Sequence, residues 1–490
     1  MAPHKKWIRQ LTQDDNGKEK AWPPMMAYSY LFGGWTVVVL DPDIVREILT
    51  ENATKAPLRF EKRYTFLQSI AGAGLATLEG EQWSRHRRIF QPCFQASVIR
   101  ERLDTVVPPL VERFIQAWDI AAGNGRVIEV SSHMSALTLD VLGQASFAHD
   151  FGGVTTVEEW AQRDTQVEGG DSLGEIPDPL VQVLSKSFNI TPVKILLELL
   201  GLSTWTNTVD RKARRTRQVL DEAAGEIVQN SRRACSTSVG TQTTRSVESP
   251  RSKQSRSLLE QMLRATKTDE CANSVPSRNQ LSEQELREEI ASFVVAGHET
   301  TSTWCMWALY AIALDPVMQE KVYKDICSNV ASNDTLEPIR LNDVEKMEYF
   351  QALLKEVLRF YTPVGMLFRY STRQENWHGY TVPPDTRLCI PIHLLHRHAD
   401  HWERPSDFDP GRWLGSSDGY EASFFPFSVG PQNCIGFRFA EAEAKIILAN
   451  LIRKFRVSLD DSTAQSGVSF TIFVAMKSKF PIKITLSQRE

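Results

Sequence analysis

The chain has 490 residues, 42% hydrophobic and 24% charged, the ordinary balance of a globular protein with a large core. Lys plus Arg number 56 against 60 Asp plus Glu, and the net charge of −4 excludes any global attraction for nucleic acid. Seven scattered cysteines, an odd number, argue against a disulfide scaffold and for a reducing compartment.

No stretch approaches the roughly 18 uninterrupted apolar residues of a membrane span, and the residues after Met1 do not form a signal peptide. Residues 1–35 therefore read as an N-terminal segment without a transmembrane anchor. Thr36 to Leu40 reads as a short strand, and Asp41 to Leu49 as a helix opening on an aspartate cap with proline in its first turn. Ala71 to Leu75, with glycine at 72 and 74, resembles a fragment of a dinucleotide fingerprint. It lacks the long preceding strand and the third glycine, so it reads as a flexible loop.

Gln82 to Phe90 is a dense basic helix on which Trp83 and Arg87, four residues apart, share a face. Arg85 and Arg88 project elsewhere, toward an acidic partner. Thr138 to Phe151 reads as an amphipathic helix of structural role, and the two apolar patches within 178–205 read as core packing. A charged helix follows from Val209 to Arg233. Residues 235–256 are crowded with serine and threonine and nearly free of aliphatic side chains, the composition of a disordered loop.

Ser282 and Glu285 form a capping box, with Leu281 and Leu286 placed as a hydrophobic staple. Leu286, Ile290, Phe293, Gly297, Thr301 and Trp304 then keep one helical face until Asp315 and Pro316 stop the run. Such a helix of about 30 residues is ~45 Å long, a spine that crosses the whole molecule. In its middle, Ala296 to Thr301 sets a glycine beside an acid, Glu299, and an alcohol, Thr300. His298 and Glu299 do not make a zinc-protease motif, because position 302 is serine. Glu356 and Arg359 stand three apart on the next strong helix, a spacing worth only a few tenths of a kcal/mol at a surface. His393, His396, His398 and His401 cluster beyond it, with a metal site the weaker reading. Thr386 to Pro391, Val468 to Phe473 and Ile482 to Leu486 read as short strands.

Between them lies Phe424 to Gly436, with one cysteine, Cys434, and no other Cys or His within ten residues. A zinc knuckle or a redox Cys-x-x-Cys is excluded. Pro426, Gly430 and Pro431 forbid regular structure before the cysteine, while Ala444, Ile447, Leu448, Leu451 and Phe455 keep a helical period after it. The sulfur thus sits at a helix entrance, where free N–H groups and the helix dipole stabilise a thiolate, and Gly436 admits a flat group close to the backbone. A single cysteine is more often an inert core residue; the neighbouring motifs decide otherwise.

Phe427-x-x-Gly430-x-x-x-Cys434-x-Gly436 resembles the heme-binding signature of the cytochrome P-450 (heme-thiolate monooxygenase) family of the eukaryotic microsomal type. Trp83-x-x-x-Arg87, Ala296 to Thr301, Glu356-x-x-Arg359 and Arg412 match further motifs of that family in its usual order. The resemblance implies one mainly α domain with a small β-rich region over 36–490, and heme b held between the spine and the cysteine helix. It implies Cys434 as the iron ligand, Trp83, Arg87 and Arg369 on the propionates, and Phe427, Gly430 and Gly436 framing the cofactor. Glu356, Arg359 and Arg412 would form a buried network, and Glu299 and Thr300 would relay protons. Phe293, Ala296, Thr300, Val364, Met366, Leu367 and Ile472 would line an apolar pocket suited to a fatty-acyl, terpenoid or polyketide substrate of secondary metabolism. Gln432 departs from the pattern, since the family usually has arginine there.

The reaction so implied is O2-dependent hydroxylation or epoxidation, with electrons from an NADPH-dependent flavoprotein reductase and cytochrome b5 as a further donor. A monomer is expected, without nucleic acid, either at the endoplasmic reticulum membrane surface with peripheral contact through 178–205 or in the cytoplasm. A heme-thiolate isomerase or dehydratase working without O2, and a non-catalytic heme-binding protein, are the alternative readings.

Overall fold

A computed structural model describes residues 22–30, 34–51, 58–163, 211–238, 257–266, 280–330, 337–415, 419–466, 470–472, 476–478 and 481–489. The expected membrane contact at 178–205 lies outside the described residues.

A five-stranded sheet is built from β1 (Met25–Tyr30), β2 (Gly34–Val39), β3 (Phe60–Glu61), β4 (Leu367–Ser371) and β5 (Arg387–Ile390) in the order β1-β2-β5-β4-β3. Only β2 and β5 run parallel, pairing Thr36 with Arg387 and Val38 with Cys389. The short strands expected near the C-terminus are present as Phe470–Ile472 and Lys483–Gln488. The sheet has its own apolar core, Val37, Val39, Leu388 and Ile390 packing on Ile44, Val45 and Ile48. Those last three lie on helix α1 (Pro42–Thr50), whose cap Asp41 accepts hydrogen bonds from the N–H groups of Asp43 and Ile44 at 2.8 and 3.2 Å. Phe425, from the cysteine loop, is buried in the same core.

The larger, helical part carries a separate core. Helix α2 (Gly80–Phe90) buries Trp83, His86, Ile89 and Phe90 and leaves Arg88 exposed. Helix α3 (Ala96–Gly123) continues through Pro108 and Pro109, which hide it from a sequence reading. Helix α4 (Val130–Leu142) begins eight residues before the expected start at Thr138 and runs on through a π-turn, Gly143–Phe147. Every residue from Ser132 to Leu142 is buried, so α4 has no polar face to give the sequence an amphipathic period. Helix α5 (Arg211–Ser238) extends into the segment expected as loop at 235–256, since no proline or glycine stops it there; 239–256 lie outside the described residues.

The spine is α6 (Glu283–Leu314), 32 residues long. Its capping box is reciprocal: Ser282 Oγ accepts from the Glu285 N–H at 3.1 Å, and the Glu285 carboxylate accepts from the Ser282 N–H at 2.8 Å. Leu281 and Leu286 of the staple are both buried. Helix α4 lies along α6, where Ser135 Oγ donates to Ser302 Oγ at 3.3 Å and Thr138 Oγ1 donates to the His298 carbonyl at 3.1 Å. Helices α7 (Glu348–Phe360) and α8 (Phe437–Lys454) complete the frame around the cysteine loop. Among the described residues no helix is long and apolar enough to cross a membrane. Replacing the cap, Ser282→Ala, is expected to lower unfolding stability by about 1 kcal/mol, measured by denaturant titration; no change would show that the first turn of α6 is held by its packing alone.

Candidate active site

The loop that carries Cys434 is shaped by three constraints. The Cys434 N–H donates to the Phe427 carbonyl at 3.0 Å and the Asn433 N–H to that of Gly430 at 3.2 Å, closing two turns before α8 begins. Gly430 has φ +78°, and a Cβ there would stand 2.3 Å from the Leu49 carbonyl oxygen of α1. Only glycine satisfies both the left-handed backbone and that approach. Gly430 therefore seats the loop on α1 and, facing an outer cleft with Pro431 and Asn433, does not touch the interior where a cofactor is expected.

The third constraint is the network at Glu356. Its carboxylate accepts from Arg359 Nε and NH2 at 2.9 and 2.8 Å, from Arg412 Nε at 3.1 Å, from Trp413 Nε1 at 2.9 Å and from the Asp409 N–H at 2.8 Å. Arg359 also donates to the carbonyls of His396, Pro405 and Asp407. His396 in turn accepts the Phe425 N–H at 2.8 Å, which ties this network to the start of the cysteine loop. The histidine cluster is thus used singly, and among the described residues no group of three His, Cys, Asp or Glu is placed to hold a metal.

Between α6 and the loop lies a chamber in two adjoining halves that share several lining residues. Lys62, Thr300, Gln432 and Cys434 line both halves. One half adds Trp83, Arg87, Phe293, Ala296 and Gly436; the other adds Val364, Leu367, Arg369 and Phe427. A smaller recess, lined by Leu67, Ala71, Val295 and Glu299, also touches Thr300. The Cys434 sulfur is accessible to the chamber but surrounded by protein. Burial pushes its thiol up, against the Gly436 N–H and the Arg87 charge, which pull it down.

Glu299 is buried in the recess, 3.5 Å from His298 Nε2. Thr300 reaches recess and chamber alike, its hydroxyl donating to the Ala296 carbonyl at 2.8 Å. Gly74, in the stretch expected as a flexible loop, is pressed on the spine: a Cβ there would meet Ser292 Cβ at 2.5 Å. Its neighbours Leu75 and Ala76 form chamber wall.

Three cations line the chamber, and none of its described lining residues is acidic. Arg369 donates to Tyr64 Oη at 3.0 Å, to its neighbour's carbonyl at 2.8 Å and to Gln432 Oε1 at 3.4 Å. Arg87 donates to the Asn433 carbonyl and Oδ1, both at 2.9 Å. Among the described residues, the Lys62 ammonium reaches only the carbonyls of Ala76 and Leu78, at 3.4 and 3.3 Å. Positive charge with no acid in the described lining, beside an apolar chamber and one enclosed sulfur at a helix start, is the complement of heme, an apolar macrocycle with two carboxylates and a thiolate-seeking iron.

Two expectations are corrected. Met366 does not line the chamber or the recess; its sulfur lies 3.8 Å from Cys389 Sγ, as strand alternation requires when Leu367 and Arg369 face inward. Arg85 is not a free surface cation, since it is partly buried, pairs with Glu285 and donates to the Gln280 carbonyl at 2.7 Å; Arg88 is the more exposed of the two, beside the outer cleft. Ile472 belongs to a described strand, but its side chain lies outside the described residues. Lys62 and Tyr64 escaped the sequence reading, because Glu61-Lys62-Arg63 carries the signal of a surface run.

The family model described as Cytochrome P450 matches residues 26–484. Cytochrome P450 4A11 of Homo sapiens is 27% identical over 486 residues, 98% of this chain and 86% of its own length. Taurochenodeoxycholic 6 alpha-hydroxylase of Sus scrofa is 25% identical over 451 residues, 92% of this chain and 81% of its own. Cytochrome P450 4A12 of Rattus norvegicus is 27% identical over 425 residues, 86% and 76% respectively.

Glu356→Leu would leave Arg359 and Arg412 buried without a counter-charge. It is expected to cost about 3–5 kcal/mol of stability, the usual result of removing one partner of a buried pair. Guanidinium unfolding checks it, and a loss under about 1 kcal/mol would mean that the network behaves as a surface pair.

Proposed function

The chain belongs to the cytochrome P450 family, and from that premise we propose that Cys434 is the thiolate ligand of its heme iron and that Glu299 and Thr300 deliver protons to the oxygen site. The protein is a heme-dependent monooxygenase, an oxidoreductase that places one atom of O2 in an organic substrate. Two electrons and two protons reduce the other atom to water. The observation that carries the assignment of Cys434 is its position: among the described residues, it is the one sulfur common to both halves of the chamber, at the positive end of α8.

When bound, heme with a thiolate ligand supplies the electron density that favours O–O cleavage. The chain's own residues do the rest. Cys434 would ligate the iron as its thiolate, giving up a proton that burial otherwise favours. Trp83, Arg87 and Arg369 would hold the carboxylate edge, and Phe427 and Gly436 would border the macrocycle; all five line the chamber. Glu299, in the recess, is the proton source, and the Thr300 hydroxyl, open to recess and chamber, accepts one proton as it gives another. The acid and the alcohol at the recess favour this chemistry over an O2-independent isomerase or dehydratase and over a heme protein without activity.

Phe293, Ala296, Val364 and Leu367 give the substrate side of the chamber an apolar surface. This supports an apolar skeleton of the fatty-acyl, terpenoid or polyketide kind, the latter two placing the enzyme in secondary metabolism. The name of the pig relative supports hydroxylation over epoxidation. Electrons come from an NADPH-dependent flavoprotein reductase, and cytochrome b5 and a monomeric state complete the proposal. Association with the endoplasmic reticulum surface is the proposed location.

Cys434→Ala is expected to abolish the thiolate-type absorption of the reduced CO complex; its survival would reassign the ligand. Thr300→Ala should keep heme and substrate binding while product formation falls by about 100-fold, the low end for a positioned proton donor, with hydrogen peroxide accounting for the NADPH consumed. Unchanged coupling of NADPH to product would remove Thr300 from the relay.

A further inference from the structure

We propose that Lys62 is a heme-binding residue: its ammonium group takes a propionate carboxylate beside Arg369 and supplies the positive charge that Gln432 lacks. The proposal rests on the heme assignment and goes beyond it, since no family motif points to position 62.

The ladder places the residue. In the β3–β4 pairing Phe60 faces Ser371 and Glu61 faces Tyr370, so the register leads directly to Lys62 opposite Arg369. The Glu79 carboxylate accepts the Lys62 N–H and fixes that corner of the backbone. The side chain is 5% exposed and lines both halves of the chamber. Its two carbonyl contacts, at 3.3 and 3.4 Å, lie beyond the ordinary 2.7–3.2 Å range of N–H···O bonds. A buried amine so weakly held has donors to spare for an anion.

The charged groups around it say what would complete it. Arg369 and Arg87 repel the ammonium, Glu79 attracts it, and Glu61 stands behind Glu79. Burial and the two arginines push Lys62 down to about 7. Tyr64 is occupied as the acceptor of Arg369, and Gln432 offers Arg369 only a neutral oxygen. Two carboxylates entering this corner would meet three cations and no acid from the lining, and each would strengthen the protonated form of Lys62. The sign follows: with a propionate in place, Lys62 titrates above its present value of about 7, so its hold is fully present below about 7 and is lost as pH rises through that higher value.

The test uses purified ferric holoenzyme and measures heme transfer to apomyoglobin. Lys62→Met should lose heme about ten- to a hundredfold faster than wild type, the usual worth of a charge-assisted hydrogen bond, and Lys62→Arg should stay near wild type. Between pH 7 and 10, wild type should lose heme progressively faster than Lys62→Arg, whose guanidinium keeps its proton; Cys434 contributes equally to both and cancels in the ratio. Reconstitution with heme dimethyl ester should erase the difference between wild type and Lys62→Met. Equal transfer rates for all three proteins would overturn the proposal, as would a Lys62→Met defect that persists with the diester, which would mark Lys62 as structural only. If Lys62→Met does not fold, the pH-dependent ratio of wild type to Lys62→Arg decides, and a flat ratio overturns it. A preparation that binds no heme would instead overturn the heme assignment itself.

Discussion

Five hydrogen bonds converge on the Glu356 carboxylate, and the position of the cysteine depends on them. The charge of Glu356 is spread over two guanidiniums, an indole and a backbone amide in a fully buried place, so no lone pair of consequence is wasted. The arginines then spend their remaining donors on carbonyls of the irregular stretch that leads to the cysteine loop. A segment with so little regular structure would ordinarily have to satisfy its backbone with water. Here a buried ionic centre does that work, which lets the loop be both irregular and rigid.

On the opposite wall the constraint is packing. The spine is clasped by α4 on one side and by the Gly74 corner on the other, and both contacts are at van der Waals limits. Its polar middle is therefore held where the recess and the chamber meet, with Glu299 on one side of Thr300 and the open volume on the other. The acid is buried away from the chamber while the alcohol is not. Under the proposed relay, that division would set the proton source apart from the reacting volume.

Electrostatics completes the picture. Lys62, Arg87 and Arg369 converge on a lining with no acid among the described residues, and Gln432 sits among them as a neutral acceptor from Arg369. Charge of one sign gathered in a buried place costs stability until a counter-charge arrives. Cofactor binding and folding are accordingly linked, and the loaded protein is expected to be the stable one.

Much of this was legible locally. Cys434 between a proline-bearing loop and a periodic helix, the capping box at Ser282, the stop at Pro316, the Asp41 cap and the acid-alcohol pair at 299 and 300 are all decided by neighbours within a few residues. Caps, breakers and periods act over one or two turns, and a sequence displays them directly. The partners of side chains are set by other means. Arg85 finds Glu285 200 residues away, Lys62 is buried although Glu61 and Arg63 flank it, Met366 turns from the chamber by strand parity, and α4 shows no period because it is covered on every side. Burial and charge pairing belong to surfaces that meet only when the chain has folded, so the sequence carried the kind of chemistry and tertiary packing alone decided which residues surround it.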